Sequence, residues 1–221
     1  MKLVKNRPKP YKVISNSEVE KYAEDHSSPE SEVVTNLIRS SDEDLAYIDM
    51  LSRPLVGHLL QILVQTTGAK YCLEIGTFTG YSAIKMAEVI PEYGQIDTIE
   101  MNIRYQKIAQ NNFCKFGFDD RIQLIKGNAR EEITKLNKVY DFIYLDADKL
   151  YYQHYYKYCI PILKSGGILL VDNVLWGAHV LAPKDPKSSA LDAFNKHIKD
   201  DNRVNQVLLP IRDGCTIVRK K

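Results

Sequence analysis

The 221-residue sequence has no pair of cysteines at metal-ligand or redox spacing, no signal peptide, and no apolar run near the roughly 18 residues a membrane span needs. Its four cysteines, Cys72, Cys114, Cys159 and Cys215, stand far apart. Cys72 and Cys159 lie in apolar stretches, where a free thiol behaves as a small hydrophobe. Reduced thiols, a cytoplasmic location and no membrane partner are the expectation. The sequence also lacks an internal repeat, a linker rich in Gly or Ser, and an excess of either charge. Thirty Lys and Arg stand against 28 Asp and Glu, a formal charge of +2, so no global field calls for nucleic acid or an anionic membrane. The local exceptions are Lys2, Lys5, Arg7, Lys9 and Lys12 at the start and Arg219, Lys220 and Lys221 at the end, which read as solvated tails. With 44% apolar and 26% charged residues, the balance is that of an ordinary globular protein. A chain of this length hides roughly 70% of its unfolded surface. Its core needs neither metal nor disulfide to form.

From about residue 70 onward, short β-branched runs alternate with longer segments of helical period, the mark of a βαβ series. Strands are expected at residues 71–75, 95–100, 121–125, 141–146, 167–172, 204–209 and 215–219, with helices such as 102–116 between the first five. Parallel strands joined by helices imply an α/β, doubly wound sheet with right-handed crossovers. The last two strands are joined only by residues 210–214, too few for a helix, so they form an antiparallel hairpin at one edge. Residues 17–25, 31–38 and 54–66 read as amphipathic helices. The expected organisation is one domain over 1–221, with 1–65 as a helical cover and 66–221 as the core.

Four of the first five strands end in an acid: Glu74 in LEIG, Glu100 in DTIEMN, Asp146 in FIYLDAD and Asp172 in ILLVDN. In an open parallel sheet these ends share one rim, where ligands bind, so the four acids converge on one site. Taken singly, each is as well explained as a cap on the helix that follows. The first turn, Gly76-Thr77-Phe78-Thr79-Gly80, lets the backbone approach a ligand, but it is neither the dinucleotide fingerprint nor a Walker A loop. Glu100 stands where an acid accepts both hydroxyls of a ribose. The pattern points to a nucleoside whose tail carries no pyrophosphate.

LEIGTFTGYSA, Glu100, GNA at 127–129, YDFIYLDADK at 140–149 and GGILLVDNVLWGAHV at 166–180 together resemble the cation-dependent O-methyltransferases, the group of caffeoyl-CoA O-methyltransferase, with catechol O-methyltransferase further off. The resemblance runs from about Met50 to the C-terminus. It implies a class I methyltransferase Rossmann-like fold, a mostly parallel seven-stranded sheet, with S-adenosylmethionine (SAM) as methyl donor. It further implies that Glu74, Gly76, Thr77 and Ser82 hold the amino acid part of SAM, with Met50 and Ser52 closing over it. Glu100 would take the ribose, and Asn128 and Ala129 would border the adenine. Asp146, Asp172 and Asn173 are the implied metal ligands, Lys149 the implied general base and Trp176 a wall of the acceptor pocket.

Methyl transfer from a sulfonium is an in-line displacement, so the acceptor oxygen must be anionic and aimed at the methyl carbon. The hard oxygens of Asp146, Asp172 and Asn173 suit Mg²⁺, Mn²⁺ or Ca²⁺ and argue against zinc. A Lys149 of lowered pKa beside the metal would take the proton; the other reading is a surface lysine paired with Asp148. Trp176 has an alternative reading as a core indole, and the tyrosines at 151–158 read as packing or a subunit contact. His58 reads as structural. The expected acceptor is a catechol-like phenolic small molecule. A 5-hydroxyuridine of tRNA, served by the basic N-terminal tail, stands second, and a catalytically silent SAM-binding module is a further alternative. By the same resemblance the chain is expected to be a homodimer.

Overall fold

The computed structural model describes residues 17–44 and 54–221. Met50, Ser52 and the basic cluster from Lys2 to Lys12 lie outside the described residues. Three helices precede the sheet: α1 (Ser17–Asp25), α2 (Glu32–Asp44) and α3 (Pro54–Thr67). The alternating part follows as β1 (Tyr71–Ile75), α4 (Tyr81–Ala87), β2 (Gln95–Glu100), α5 (Ile103–Lys115), β3 (Ile122–Lys126) and the short α6 (Ala129–Glu132). It continues through β4 (Tyr140–Leu145), α7 (Tyr152–Ile162), β5 (Leu163–Val171), α8 (Pro186–Lys199), β6 (Val204–Leu209) and β7 (Cys215–Lys220).

The seven strands lie in the order β3-β2-β1-β4-β5-β7-β6, and the first five in the chain run parallel. β7 enters antiparallel between β5 and β6, which makes the expected hairpin and leaves β6 at the edge. The chain steps outward from β1 to β3 and then returns to lay β4 against the other side of β1. That reversal opens a crevice at the ends of β1 and β4.

Period-two alternation divides the strands between two cores. Cys72, Phe142, Tyr144, Ile168 and Leu170 face the layer of α2, α3, α4 and α5. Leu73, Ile143, Leu145, Leu169 and Val171 face α7 and α8. Strands with both faces covered explain why they read as nearly continuous apolar runs. No helix among the described residues is long and apolar enough to cross a membrane.

Two local differences have clear causes. β5 begins at Leu163, four residues before the expected start. Tyr140 pairs with Leu163 and Phe142 with Ile168, so residues between them bulge out around Gly166, whose φ is 81°. The C-terminal charges are not simply solvated: Lys220 Nζ donates to the carbonyls of Ile160 at 2.7 Å and Leu163 at 2.6 Å, closing the C-terminal end of α7. All four cysteines are free thiols, and only Cys114 is exposed.

Candidate active site

A cavity of about 530 Å³ opens at the rim where β1, β2, β4 and β5 end. Of the residues singled out from the sequence, Gly76, Thr77, Ser82, Glu100, Ala129, Asp146, Lys149, Asp172, Asn173 and Trp176 all line it. Glu74 and Asn128 do not.

Gly76 has φ 98°, and a Cβ there would collide with the backbone carbonyl of Asp146 on the neighbouring strand end. Glycine is therefore required for β1 and β4 to close up at the switch point. Glu100 is 9% exposed, and its carboxylate organises the loop in front of it. Phe78 N donates to Oε2 at 3.0 Å and Asn102 N donates to Oε1 at 2.8 Å. Each oxygen keeps one free acceptor site, which matches two adjacent hydroxyls.

Glu74 sits one layer behind the cavity, fully buried. Its Oε1 accepts from the Ser82 hydroxyl and its Oε2 from Thr98 Oγ1 at 2.5 Å, while Thr77 Oγ1 bonds Thr98 Oγ1. Burial pushes its carboxyl up to about 8, against the pull of those hydroxyls. The Glu74 side chain fixes Ser82 and, through Thr98, Thr77, and Thr77 and Ser82 line the cavity. Asn128 is spent as a helix cap, its Oδ1 accepting from Arg130 N at 3.1 Å, and leaves Ala129 at the wall.

On the other side of the cavity, Lys149 Nζ donates to Asp146 Oδ1 at 2.5 Å. The pairing differs from both sequence readings. The partner is Asp146 and not Asp148, which instead caps the next turn through Leu150 N. Burial works to lower the Lys149 pKa, but the charge of Asp146 and the hydrogen bonds to Asp146 and Tyr152 outweigh it and hold the ammonium above its ordinary value. Asp172 is 3% exposed; burial first, then the Asp146 charge, push it above the ordinary carboxylate range. The Asp146 charge beside the buried Asp172 makes a local concentration of negative charge that a cation relieves.

The loop after β5 holds Asn173, Trp176 and Ala178 at φ 56°, 47° and 65°, a concentration of left-handed non-glycine residues of the kind that functional sites sustain. Asp213, which accepts from Gly177 N, pins this loop to the β6–β7 turn. Trp176 turns its indole to the cavity, with Lys187 Nζ 5.4 Å above the ring. Sequence reasoning gave no site role to Phe78, Tyr81, Tyr105, Lys187, Arg212 and Asp213, which also line the wall. Arg212 reaches it from a turn position with φ 51° and lies 3.3 Å from Glu20 of α1. Of the tyrosine run, Tyr155 lines the cavity, while Tyr152 and Tyr156 pack edge-on against Phe194 at 5.5 and 5.9 Å.

A family model described as O-methyltransferase matches residues 24–221. The chain belongs to the O-methyltransferase family. A probable caffeoyl-CoA O-methyltransferase of Dictyostelium discoideum is 32% identical over 217 residues, covering 95% of this chain and 94% of the relative. The O-methyltransferase of Bacillus cereus, solved in complex with SAH, superimposes with a TM-score of 0.82 at 26% identity over 92% of this chain and 97% of that one. An SAH-bound methyltransferase of Podospora anserina gives 0.84 at 29% identity, over 92% and 94%. The O-methyltransferase family, the enzyme class and the sheet architecture expected from the sequence all agree with these findings. In this O-methyltransferase the four strand-end acids are divided in role: three face one cavity and Glu74 supports it from behind.

Proposed function

We propose that this O-methyltransferase moves the methyl group of SAM to one hydroxyl of a catechol-like small molecule, with a divalent cation held by Asp146, Asp172 and Asn173. The observation that carries this reading is the meeting of Glu100, Asp146, Asp172, Asn173 and Lys149 in a single cavity. Its volume is suited to a nucleoside together with a small aromatic ring.

The fit of the donor set rests on its chemistry. Two carboxylates close enough to raise the pKa of one, joined by an amide oxygen, form a set of hard oxygens for Mg²⁺, with Mn²⁺ or Ca²⁺ as alternatives. A cation bound there supplies positive charge that favours the anion of an acceptor hydroxyl and fixes its aim. Glu100 offers its two free acceptor sites to the ribose hydroxyls of SAM. Thr77 and Ser82 face the amino acid part, and Ala129 leaves room for the adenine. Trp176 and Tyr155 bound the acceptor ring and keep water from it. Lys149 holds its proton against Asp146; were that carboxylate engaged by a cation, the ammonium would release its proton to water and, as a neutral amine, take the proton of the acceptor hydroxyl. The acceptor oxygen then bonds the methyl carbon as the carbon–sulfur bond breaks, giving the methyl ether and S-adenosylhomocysteine (SAH).

The tRNA reading stands second, because no aromatic and basic RNA-binding module is recognisable in the sequence. Methyl transfer from labelled SAM to a simple catechol, with Mg²⁺ and again with excess EDTA, tests the proposal. Transfer that EDTA abolishes supports it. Transfer indifferent to EDTA removes the cation, and no transfer with SAH still bound turns the search to hypomodified tRNA.

A further inference from the structure

Asp172 is restrained far more than a carboxylate awaiting a cation needs to be. Tyr144 OH donates to its Oδ2 at 2.8 Å, Asn173 N donates to its Oδ1 at 2.7 Å, and the Cys215 thiol lies 3.4 Å from the same Oδ1. Tyr144 and Cys215 are both fully buried. Sheet register explains how they arrive there. Tyr144 pairs with Leu170 on the parallel neighbour β5, and Val171 pairs with Thr216 on antiparallel β7, so Cys215 comes opposite Asp172 one step further on. Both side chains belong to the face turned toward α3 and α4, where the neighbouring inward positions Phe142, Ile168 and Leu170 are apolar. In that company a buried hydroxyl needs a hydrogen-bond partner and a thiol gains from one, and each has the Asp172 carboxylate within reach.

An ionised carboxylate has about four acceptor positions, two on each oxygen. At Asp172 the two on Oδ1 are taken by Asn173 N and the Cys215 thiol, and one of the two on Oδ2 by Tyr144. One position remains, on Oδ2. Asp146 is different, because among the described residues only Lys149 is hydrogen-bonded to its carboxylate. We propose that Tyr144 and Cys215 are positioning residues that confine Asp172 to single-oxygen ligation through Oδ2, and so favour a small six-coordinate cation such as Mg²⁺ or Mn²⁺ over Ca²⁺. Ca²⁺ takes six to eight oxygens and commonly both from one carboxylate, whereas Mg²⁺ demands near-ideal octahedral geometry. The inference rests on the metal-dependent reading given above.

The test is direct binding of Mn²⁺ to the full-length protein, followed by the loss of the free-ion electron paramagnetic resonance signal, with Ca²⁺ as competitor and SAH affinity as the control. Tyr144→Phe keeps the ring and removes the donor that aims Oδ2; it weakens Mn²⁺ binding about tenfold or more, with SAH affinity unchanged. Cys215→Ala, which frees a position on Oδ1, weakens Mn²⁺ binding by a smaller factor and narrows the preference over Ca²⁺, and Cys215→Ser, which keeps a donor, restores both. Folded variants that bind Mn²⁺ and reject Ca²⁺ as the wild type does would overturn the proposal. Equal behaviour of Cys215→Ala and Cys215→Ser would remove the thiol from it. Wild-type protein that binds SAH but no Mn²⁺ would instead bring down the metal-dependent reading, and this inference with it.

Discussion

Lys149 Nζ and Asp146 Oδ1 lie 2.5 Å apart, an ion pair between the residue implied as base and a residue implied as metal ligand. The two roles are therefore in competition. While the ammonium holds Asp146 it is a proton donor, and under the proposed mechanism a cation would have to displace it. Lys149→Ala is expected to lower kcat by about 10² to 10⁴-fold, the usual range for loss of a general base. It should also lower the Mn²⁺ concentration needed for half-saturation, because Asp146 loses a competing charge. Steady-state rates together with metal titration and SAH binding check this; weaker binding of both Mn²⁺ and SAH would make Lys149 a structural residue.

Glu100 accepts one backbone N–H on each oxygen. Glu100→Gln turns an NH₂ group toward one of those donors and removes the charge that strengthens the remaining bonds. The expected result is a rise of about ten- to a hundredfold in KM for SAM, from a charged hydrogen bond contributing about 1.5–3 kcal/mol, with kcat much less affected. A loss in kcat alone, at unchanged KM, would separate Glu100 from the ribose.

Glu74 makes stability depend on pH in a direction opposite to that of a salt-bridged acid. Burial raises its folded pKa to about 8 from 4.5, so the folded state holds a proton that the unfolded state has lost between those values. Stability from this group is complete below the unfolded pKa and falls as pH rises toward 8, with a limiting slope of about 1.4 kcal/mol per pH unit. Denaturant unfolding between pH 5 and pH 9 should show this decline. Glu74→Gln, which stays neutral, should flatten it; an unchanged slope in the variant would assign the effect to another group.

Much of this arrangement was legible because it depends on local signals. β1, β2 and β6 were expected at their observed limits, since β-branched runs bounded by turn residues are read over a few positions. The strand-end acids could be placed on a common rim by topology alone. What topology does not give is the side each acid faces. Glu74 stands inside β1, between two covered faces, so its carboxylate is enclosed, while Asp146 lies one residue beyond β4 and is free to turn to the cavity. Asn128 follows the same physics in reverse: the cap preference noted for acids at strand ends claimed this amide instead. Arg212 and Lys187 carry no motif, and only the folding of the β6–β7 turn and of α8 brings them to the wall.

His58 was read as structural, and it belongs to a buried charged cluster that no local pattern announces. Lys85 is 1% exposed; its Nζ lies 2.6 Å from Glu30 Oε2 and 3.3 Å from His58 Nδ1, and Tyr81 OH donates to Glu30 Oε1 at 2.6 Å. Glu30 thus ties the α1–α2 connection to α4, and Tyr81 is also part of the cavity wall. Removing one partner of a buried pair leaves an uncompensated charge, at a cost of about 3–5 kcal/mol, whereas removing both charges is often close to neutral. Glu30→Ala and Lys85→Met should each lower Tm by about 2–4 °C for every kcal/mol lost in a chain of this size. The double variant Glu30→Gln with Lys85→Met keeps an acceptor for Tyr81 OH and should be more stable than either single variant. Because Tyr81 loses its acceptor only in Glu30→Ala, that variant alone should also weaken SAH binding. A double variant as damaged as the sum of Glu30→Gln and Lys85→Met measured singly would show that the two charges are not coupled, and equal SAH affinity in all of them would detach the cavity from the α1–α2 connection.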